Sequence, residues 1–153
     1  MSQSDIQIET GAKRLKAHIT ATDFGAVGHI CFSYPERLNA VDLEGWLALP
    51  ALIDKLQAQD DVRLIVLSGA GGKAFVAGAD ITQFDEAFSG PNGATYDSAT
   101  VDGFDAIANC RVPTLAAIEG HCIGGGLGIA LACDIRLARA DSQFGIPAGR
   151  LGL

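Results

Sequence analysis

The chain has 153 residues, 48 % of them hydrophobic and 19 % charged, enough for one globular domain with its own core. A formal net charge of −7, with the 11 Lys and Arg scattered singly apart from Lys13, Arg14 and Lys16, argues against nucleic acid as a partner. No run of about 18 uncharged apolar residues is present, so no membrane span is predicted, and the N-terminal MSQSDIQIETGAKRLK carries acids and no apolar h-region, so the chain reads as cytoplasmic.

Three strand-like stretches open the chain, Asp5 to Glu9, Leu15 to Ala21 and His29 to Ser33, and their spacing suggests a meander. Asp42 then stands as an N-cap before LEGWLALPALIDKLQAQD, where Leu43, Trp46, Leu47, Leu49, Leu52, Ile53 and Leu56 form a helical stripe. Pro50 predicts a kink or break in it. VRLIVLS, residues 62 to 68, is almost wholly apolar, as a parallel strand covered on both faces would be, and it ends in a Gly-Ala-Gly-Gly turn. Residues 82 to 100 include SGPNG and have no periodicity, so they are expected to be a loop or an interrupted helix, followed by a short helix over Val101 to Cys110. Thr114 to Ile118 reads as a second buried strand, Gly124 to Cys133 as a buried helix and Ile135 to Ala138 as a third strand. This alternation predicts an α/β layer. VRLIVLSG, TLAAIEG and IRLARAD are also related in kind.

The cysteines at 31, 110, 122 and 133 form no CxxC pair, and three of them lie in apolar stretches, so they read as small core residues in a reducing compartment. His18, His29 and His121 are far apart and alternate with apolar residues, which favours a polar edge or a satisfied core histidine over a metal site.

The stretch with most chemical content is Glu119 to Asp134, EGHCIGGGLGIALACD, a glycine cluster leading into an apolar helix. A nucleotide-phosphate loop would use the N–H groups of such a helix start. A GxGxxG match from Gly126 fails at Leu131, however, and no Lys-Ser or Lys-Thr follows. A structural reading, a sharp strand-to-helix turn with close packing, holds under any function. The third reading is an oxyanion hole: two N–H groups that converge on a carbonyl oxygen and stabilise the negative charge developing there. Gly125 would supply one donor, and the small-residue turn in Phe75-Val-Ala-Gly-Ala-Asp80 is the natural source of the second.

Four segments in order resemble the enoyl-CoA hydratase/isomerase, or crotonase, superfamily: Tyr34-Pro-Glu-Arg-Leu-Asn-Ala40, Ala74-Phe-Val-Ala-Gly-Ala-Asp80, Val112-Pro-Thr-Leu-Ala-Ala-Ile-Glu-Gly120, and Gly124-Gly-Gly126 with Ala132-Cys-Asp134. The resemblance implies an α/β spiral of ββα units over residues 1–153, with the family's C-terminal helical part, which builds trimers and hexamers, absent. It implies an acyl-CoA thioester as ligand, no cofactor beyond the coenzyme A of the substrate, and no metal. The backbone donors would be Ala79 and Gly125. The substrate would lie along Arg37, Leu38, Ala40, Ala77, Gly78, Ala79, Asp80, Ile81, Gly124 and Gly125. Arg37 and Lys73 would locally offset the acidic net charge against a polyanionic ligand, or are ordinary solvated cations.

The family's hydratases hold a water between two glutamates, one to activate it and one to protonate the α-carbon. Gly128 and Ala148 occupy those two positions here, and neither can transfer a proton. Glu119, Asp80, Asp85, Glu86 and His121 are the nearby groups able to substitute, although Asp80 also suits an N-cap. The resemblance therefore implies a lyase or isomerase of fatty-acid metabolism whose exact reaction is open. The alternatives are a non-catalytic acyl-CoA-binding or scaffold homologue, or an isomerase, thioesterase or dehalogenase-like reaction with an acid beyond residue 153.

Overall fold

The computed structural model describes residues 5–80, 91–147 and 149. Strands β1 (Ile6–Ile8), β2 (Leu15–Thr22) and β3 (Gly25–Phe32) form the expected antiparallel meander, with β3 beginning at Gly25, ahead of its predicted start. Three further strands, β4 (Val62–Gly69), β6 (Thr114–Ile118) and β8 (Ile135–Ala138), continue the sheet in parallel, giving the order β1-β2-β3-β4-β6-β8. The strands between them, β5 (Ala74–Ala77), β7 (His121–Ile123) and β9 (Gln143–Gly145), form a second, wholly parallel sheet.

The chain therefore repeats one path, a strand in the large sheet, a tight turn and a strand in the small sheet, and among the described residues a helix follows the first two of the three strand pairs. The three related segments VRLIVLSG, TLAAIEG and IRLARAD are the large-sheet strands of successive repeats, so the expected ββα spiral is present. The short strands of the small sheet escaped sequence reading because three or four residues carry too little pattern to stand out. Successive repeats stack through their turns: His121 N–H donates to Lys73 O at 3.1 Å, and Gln143 N–H to Gly120 O at 3.0 Å.

Helix α1 (Leu43–Gln57) has the predicted cap, Asp42 accepting the Gly45 N–H at 2.9 Å. It runs through Pro50 without ending, so the proline makes no break. Trp46, Leu49, Leu52, Ile53 and Leu56 lie on both sides of the proline and are all buried. Each such side chain contributes about 1.5–3 kcal/mol on burial, which outweighs the one hydrogen bond a proline removes. Helix α2 (Pro91–Ala108) runs unbroken through residues 91 to 100, expected as a loop or an interrupted helix, and takes in most of the short helix expected over Val101 to Cys110. Its inward stripe is Tyr96, Ala99, Gly103 and Ile107, at helical spacing. Two of those four are too small to show as an apolar period, and Gly103 is small because Trp46 packs there: a Cβ at Gly103 would stand 3.0 Å from Trp46 Cε3. Residues 82 to 90 of the expected loop lie outside the described set.

Helix α3 (Gly125–Ala132) buries Gly126, Ile129 and Ala130, whereas Leu131 is 63 % exposed, so the helix is covered on one side only. Likewise β4 is buried on one face through Val62, Ile65 and Leu67, and its other face, Leu64, Val66 and Ser68, is half-buried. The near-continuous apolar run is thus covered on one face and only partly on the other. All four residues of β8 are exposed, and Ile135, Leu137, Phe144 and Ile146 are large apolar side chains left exposed, as is Leu131. No helix among the described residues is long and apolar enough to cross a membrane.

Candidate functional site

The loop after β3 is built around Asn39. A 3-10 turn at Pro35–Arg37 hands over to Leu38 and Asn39, both in the left-handed region with φ of 51° and 58°. Such a backbone is uncommon outside glycine. Here it is held because Asn39 is only 1 % exposed and fully bonded. Its Nδ2 donates to Ala70 O at 2.9 Å and Ala74 O at 2.8 Å, and its Oδ1 accepts the Tyr34 N–H at 2.8 Å. The loop is thereby pinned to the turn that opens β5.

Beyond β5 the two segments zip together. Ala77 N–H donates to Leu38 O, Val41 N–H to Gly78 O and Asp80 N–H to Val41 O, at 3.0, 3.0 and 3.1 Å. This one-residue parallel bridge, Val41 to Ala79, uses the groups on either side of Ala79 and leaves its own N–H out of the ladder. Among the described residues no acceptor is paired with it.

The second backbone element is the start of α3. Gly124 has φ 56° and ψ −118°, a conformation essentially restricted to glycine, which turns β7 into the helix. Gly126 is needed for close approach, since a Cβ there would stand 2.0 Å from Val76 O. Gly125, the first helical residue, has an N–H with no intrahelical acceptor and none among the described residues. The two loops meet: a Cβ on Gly124 would lie 3.7 Å from Gly78 Cα, and one on Gly125 would lie 3.9 Å from the Gly78 carbonyl carbon and 3.1 Å from Trp46 Cζ2. Trp46 backs the junction and is itself fixed, its Nε1–H donating to Tyr96 Oη at 2.9 Å. Burial pushes the Tyr96 hydroxyl up to about 12, so it stays neutral.

A cleft of about 290 Å³ opens at this place, lined by Glu36, Arg37, Leu38, Ala40, Ala77, Ala79 and Asp80. Six of these seven were predicted site residues; Glu36 was missed although it lies within the motif. Gly78, Gly124 and Gly125 adjoin through the contacts just given. Ile81 and Ala148 lie outside the described residues, as do Asp85 and Glu86. Lys73 and His121 sit elsewhere, in a cleft of about 330 Å³ on the other side of Leu38, with Arg139, Asp141 and Gln143.

Neither described acid among the substitute candidates is an unpaired carboxylate. Asp80, 5 % exposed, accepts from Arg14 Nη1 at 2.6 Å, and Arg14 Nε lies 3.1 Å from Asp42. Partial burial works against the Arg14 charge, but the hydrogen bond to Asp80 and the charges of Asp42 and Asp80 outweigh it, so the guanidinium is held above its ordinary value. Glu119 faces Arg139 at 3.4 Å on the surface.

Gly128, read from the sequence as standing where one acid of the family's pair is missing, has the Phe104 ring against it: a Cβ there would stand 2.5 Å from Phe104 Cζ and 2.8 Å from its Cε1, so a side chain needs that ring to move. The Phe104 ring, on α2, packs edge-on against Trp46 at 5.3 Å between centroids. Sequence reading missed Phe104, because nothing near position 104 marks it as a neighbour of position 128. All four cysteines are free thiols, and burial pushes Cys122 to about 11 and Cys133 to about 12, so neither is a thiolate nucleophile near neutrality. Among the described residues no group of three His, Cys, Asp or Glu is arranged to hold a metal.

Residues 23–153 match the family described as enoyl-CoA hydratase/isomerase. The short-chain-enoyl-CoA hydratase of Clostridium acetobutylicum is 33 % identical over 129 residues, which make up 84 % of this chain and 49 % of that protein. The mitochondrial 3-hydroxyisobutyryl-CoA hydrolase of Rattus norvegicus is 34 % identical over 131 residues, 84 % of this chain and 34 % of the relative. Among solved structures, an enoyl-CoA hydratase/carnithine racemase from Magnetospirillum magneticum superposes with a TM-score of 0.84 at 32 % identity, covering 97 % of this chain and 53 % of that one. The chain spans about half the length of the two hydratases named, at 49 % and 53 %.

Proposed function

The chain belongs to the enoyl-CoA hydratase/isomerase family, and on that premise we propose that it binds an acyl-CoA thioester with the carbonyl oxygen between the Ala79 and Gly125 N–H groups. The observation that carries this reading is the pair of backbone donors left without acceptors among the described residues, on two loops whose backbones pack together at Gly78 and Gly124. Donors fixed in this way stabilise the charge that develops on a thioester oxygen as an enolate forms, without reorganising at the moment of reaction. The coenzyme A portion would run along the cleft formed by Arg37, Leu38, Ala40 and Ala77. No cofactor beyond the coenzyme A of the substrate enters this reading.

Gly125→Pro tests it. Proline suits the first position of a helix, so the substitution deletes the N–H while keeping the helix start, and its Cβ would stand 3.1 Å from Trp46 Cζ2, a contact relieved by a few tenths of an ångström. Affinity for butyryl-CoA is expected to fall by about tenfold, the value of one good hydrogen bond to a polarised oxygen. Unchanged affinity in a variant with an unchanged unfolding midpoint would overturn the assignment of Gly125.

A second reading is favoured by one observation, the Phe104 ring at the place where the side chain of residue 128 would stand. On this reading the chain binds acyl-CoA without hydrating it. Losing a positioned acid or base costs about 10²- to 10⁴-fold in rate. Hydration of crotonyl-CoA at an ordinary enzymatic rate, about 1–10³ s⁻¹, would sink the non-catalytic reading. Binding with no turnover would support it.

A further inference from the structure

The stretch that matches the family begins at residue 23, and Arg14 lies ahead of it, in the turn between β1 and β2. From that position one side chain joins three parts of the site that are distant in sequence. Nη1 meets Asp80 Oδ2 at 2.6 Å, Nε meets Asp42 Oδ2 at 3.1 Å, and the guanidinium carbon stands 3.7 Å from the centre of the Tyr34 ring. Each of these partners is attached to the thioester site by the chain itself. Asp80 directly follows Ala79, and its N–H is bonded to Val41 O. Asp42 follows Val41 and caps the helix whose Trp46 backs Gly125. Tyr34 opens the loop that lines the cleft, and its N–H is held by Asn39. Arg14 itself is not among the residues lining the cleft.

The Asp42 and Asp80 side chains are 9 % and 5 % exposed, and both turn a carboxylate oxygen toward the same guanidinium. Without the cation, two nearly buried like charges would face one another, and repulsion together with the need for solvent would drive them apart. A backbone shift at Asp80 would rotate the peptide that precedes it, which carries the Ala79 carbonyl and adjoins the Ala79 N–H, and would strain the bond from the Asp80 N–H to Val41 O. Arginine suits the task because its planar fork can bond two carboxylates at once and still stack on an aromatic face.

We propose that Arg14 is a positioning residue for the thioester site: by gripping Asp80 and Asp42 together over Tyr34, it holds the Ala79–Asp80 segment zipped to Val41 with the Ala79 N–H turned out of the ladder. This rests on the reading of Ala79 as a thioester donor.

Arg14→Met and Arg14→Lys, compared with the unaltered chain, test it through amide hydrogen exchange and butyryl-CoA titration. In Arg14→Met the Asp80 amide is expected to exchange about tenfold faster, while the Ile65 amide, bonded to Pro113 O in the core, keeps its rate. Butyryl-CoA affinity should fall by about tenfold, with Arg14→Lys recovering part of the loss, since an ammonium keeps the charge but not the fork. A merely structural role would instead loosen Ile65 together with Asp80 and leave the affinity per folded molecule unchanged, and that result overturns the inference. Asp80 exchange and affinity both within about twofold of the unaltered chain would also overturn it. Should Arg14→Met not fold, Arg14→Lys carries both readouts. Failure of the unaltered chain to bind butyryl-CoA would sink the thioester reading itself, and the Asp80 exchange rate would still decide whether Arg14 sets this peptide.

Discussion

Single residues here do work that their neighbours in sequence do not disclose. His18 and His29, eleven positions apart, are cross-strand partners on β2 and β3, and their rings stack at 4.4 Å with 9° between planes. Burial, and secondarily the charge of His18, hold His29 below its ordinary value, while Asp5, 3.9 Å from His18, pulls the other way. Lys16 and Cys31 are the next pair along the same face. Because the folded pKa is depressed, the unfolded chain takes up the proton first, and stability should fall as pH drops below about 6.5 toward the folded value. Urea midpoints measured between about pH 7 and 5 should decline, and His29→Gln should decline less. Equal declines would show that His29 is not the group responsible. The glycine junction resolves at this scale too: Gly124 supplies a backbone conformation, Gly126 an approach to Val76, and Gly125 an N–H. Sequence reading saw a glycine cluster and could not divide these tasks, because each depends on what lies across from the residue.

Between elements, the contact of α2 with α3 decides the character of the site. Phe104 fills the volume beside Gly128, so restoring an acid at that position requires moving an aromatic ring as well. Gly128→Glu alone should destabilise the chain by about 1–3 kcal/mol through overpacking. Adding Phe104→Ala should return much of that loss, with a coupling of about 0.5–3 kcal/mol in a double-mutant cycle followed by thermal unfolding. Strict additivity would mean that the ring and the residue-128 side chain do not compete for space. The two helices also show why local pattern reached some elements and not others. In α1 the large apolar residues and the Asp42 cap were readable, whereas continuation through Pro50 was settled by burial on both sides of it. In α2 the inward residues are partly Ala and Gly, which suit a close crossing with Trp46 but leave no hydrophobic period.

For the chain as a whole, the charge of −7 opposes a polyanionic ligand such as the proposed acyl-CoA, whose binding would then depend on local cations at short range. Arg37 lines the cleft and is exposed. Arg37→Glu should weaken butyryl-CoA binding by about 3- to 10-fold at low salt and by less at about 0.5 M salt. A salt-independent loss, or none, would mark Arg37 as an ordinary surface charge. The mean hydropathy of +0.25 also has a location: Leu131, Ile135, Leu137, Phe144 and Ile146 are all exposed, on α3, on β8 and in and after β9. The sequence by itself determined the family, the order of the large-sheet strands Val62–Gly69, Thr114–Ile118 and Ile135–Ala138, and the motif segments that border the cleft, because these are encoded in short contiguous patterns of glycine, proline and apolar residues. Only the tertiary structure decided which backbone N–H groups are left without acceptors, that Phe104 packs against Gly128, and that Arg14 reaches across to Asp42 and Asp80. Those relations join residues 24 to 66 positions apart, and no local pattern carries the distance between two side chains that meet only when the spiral closes.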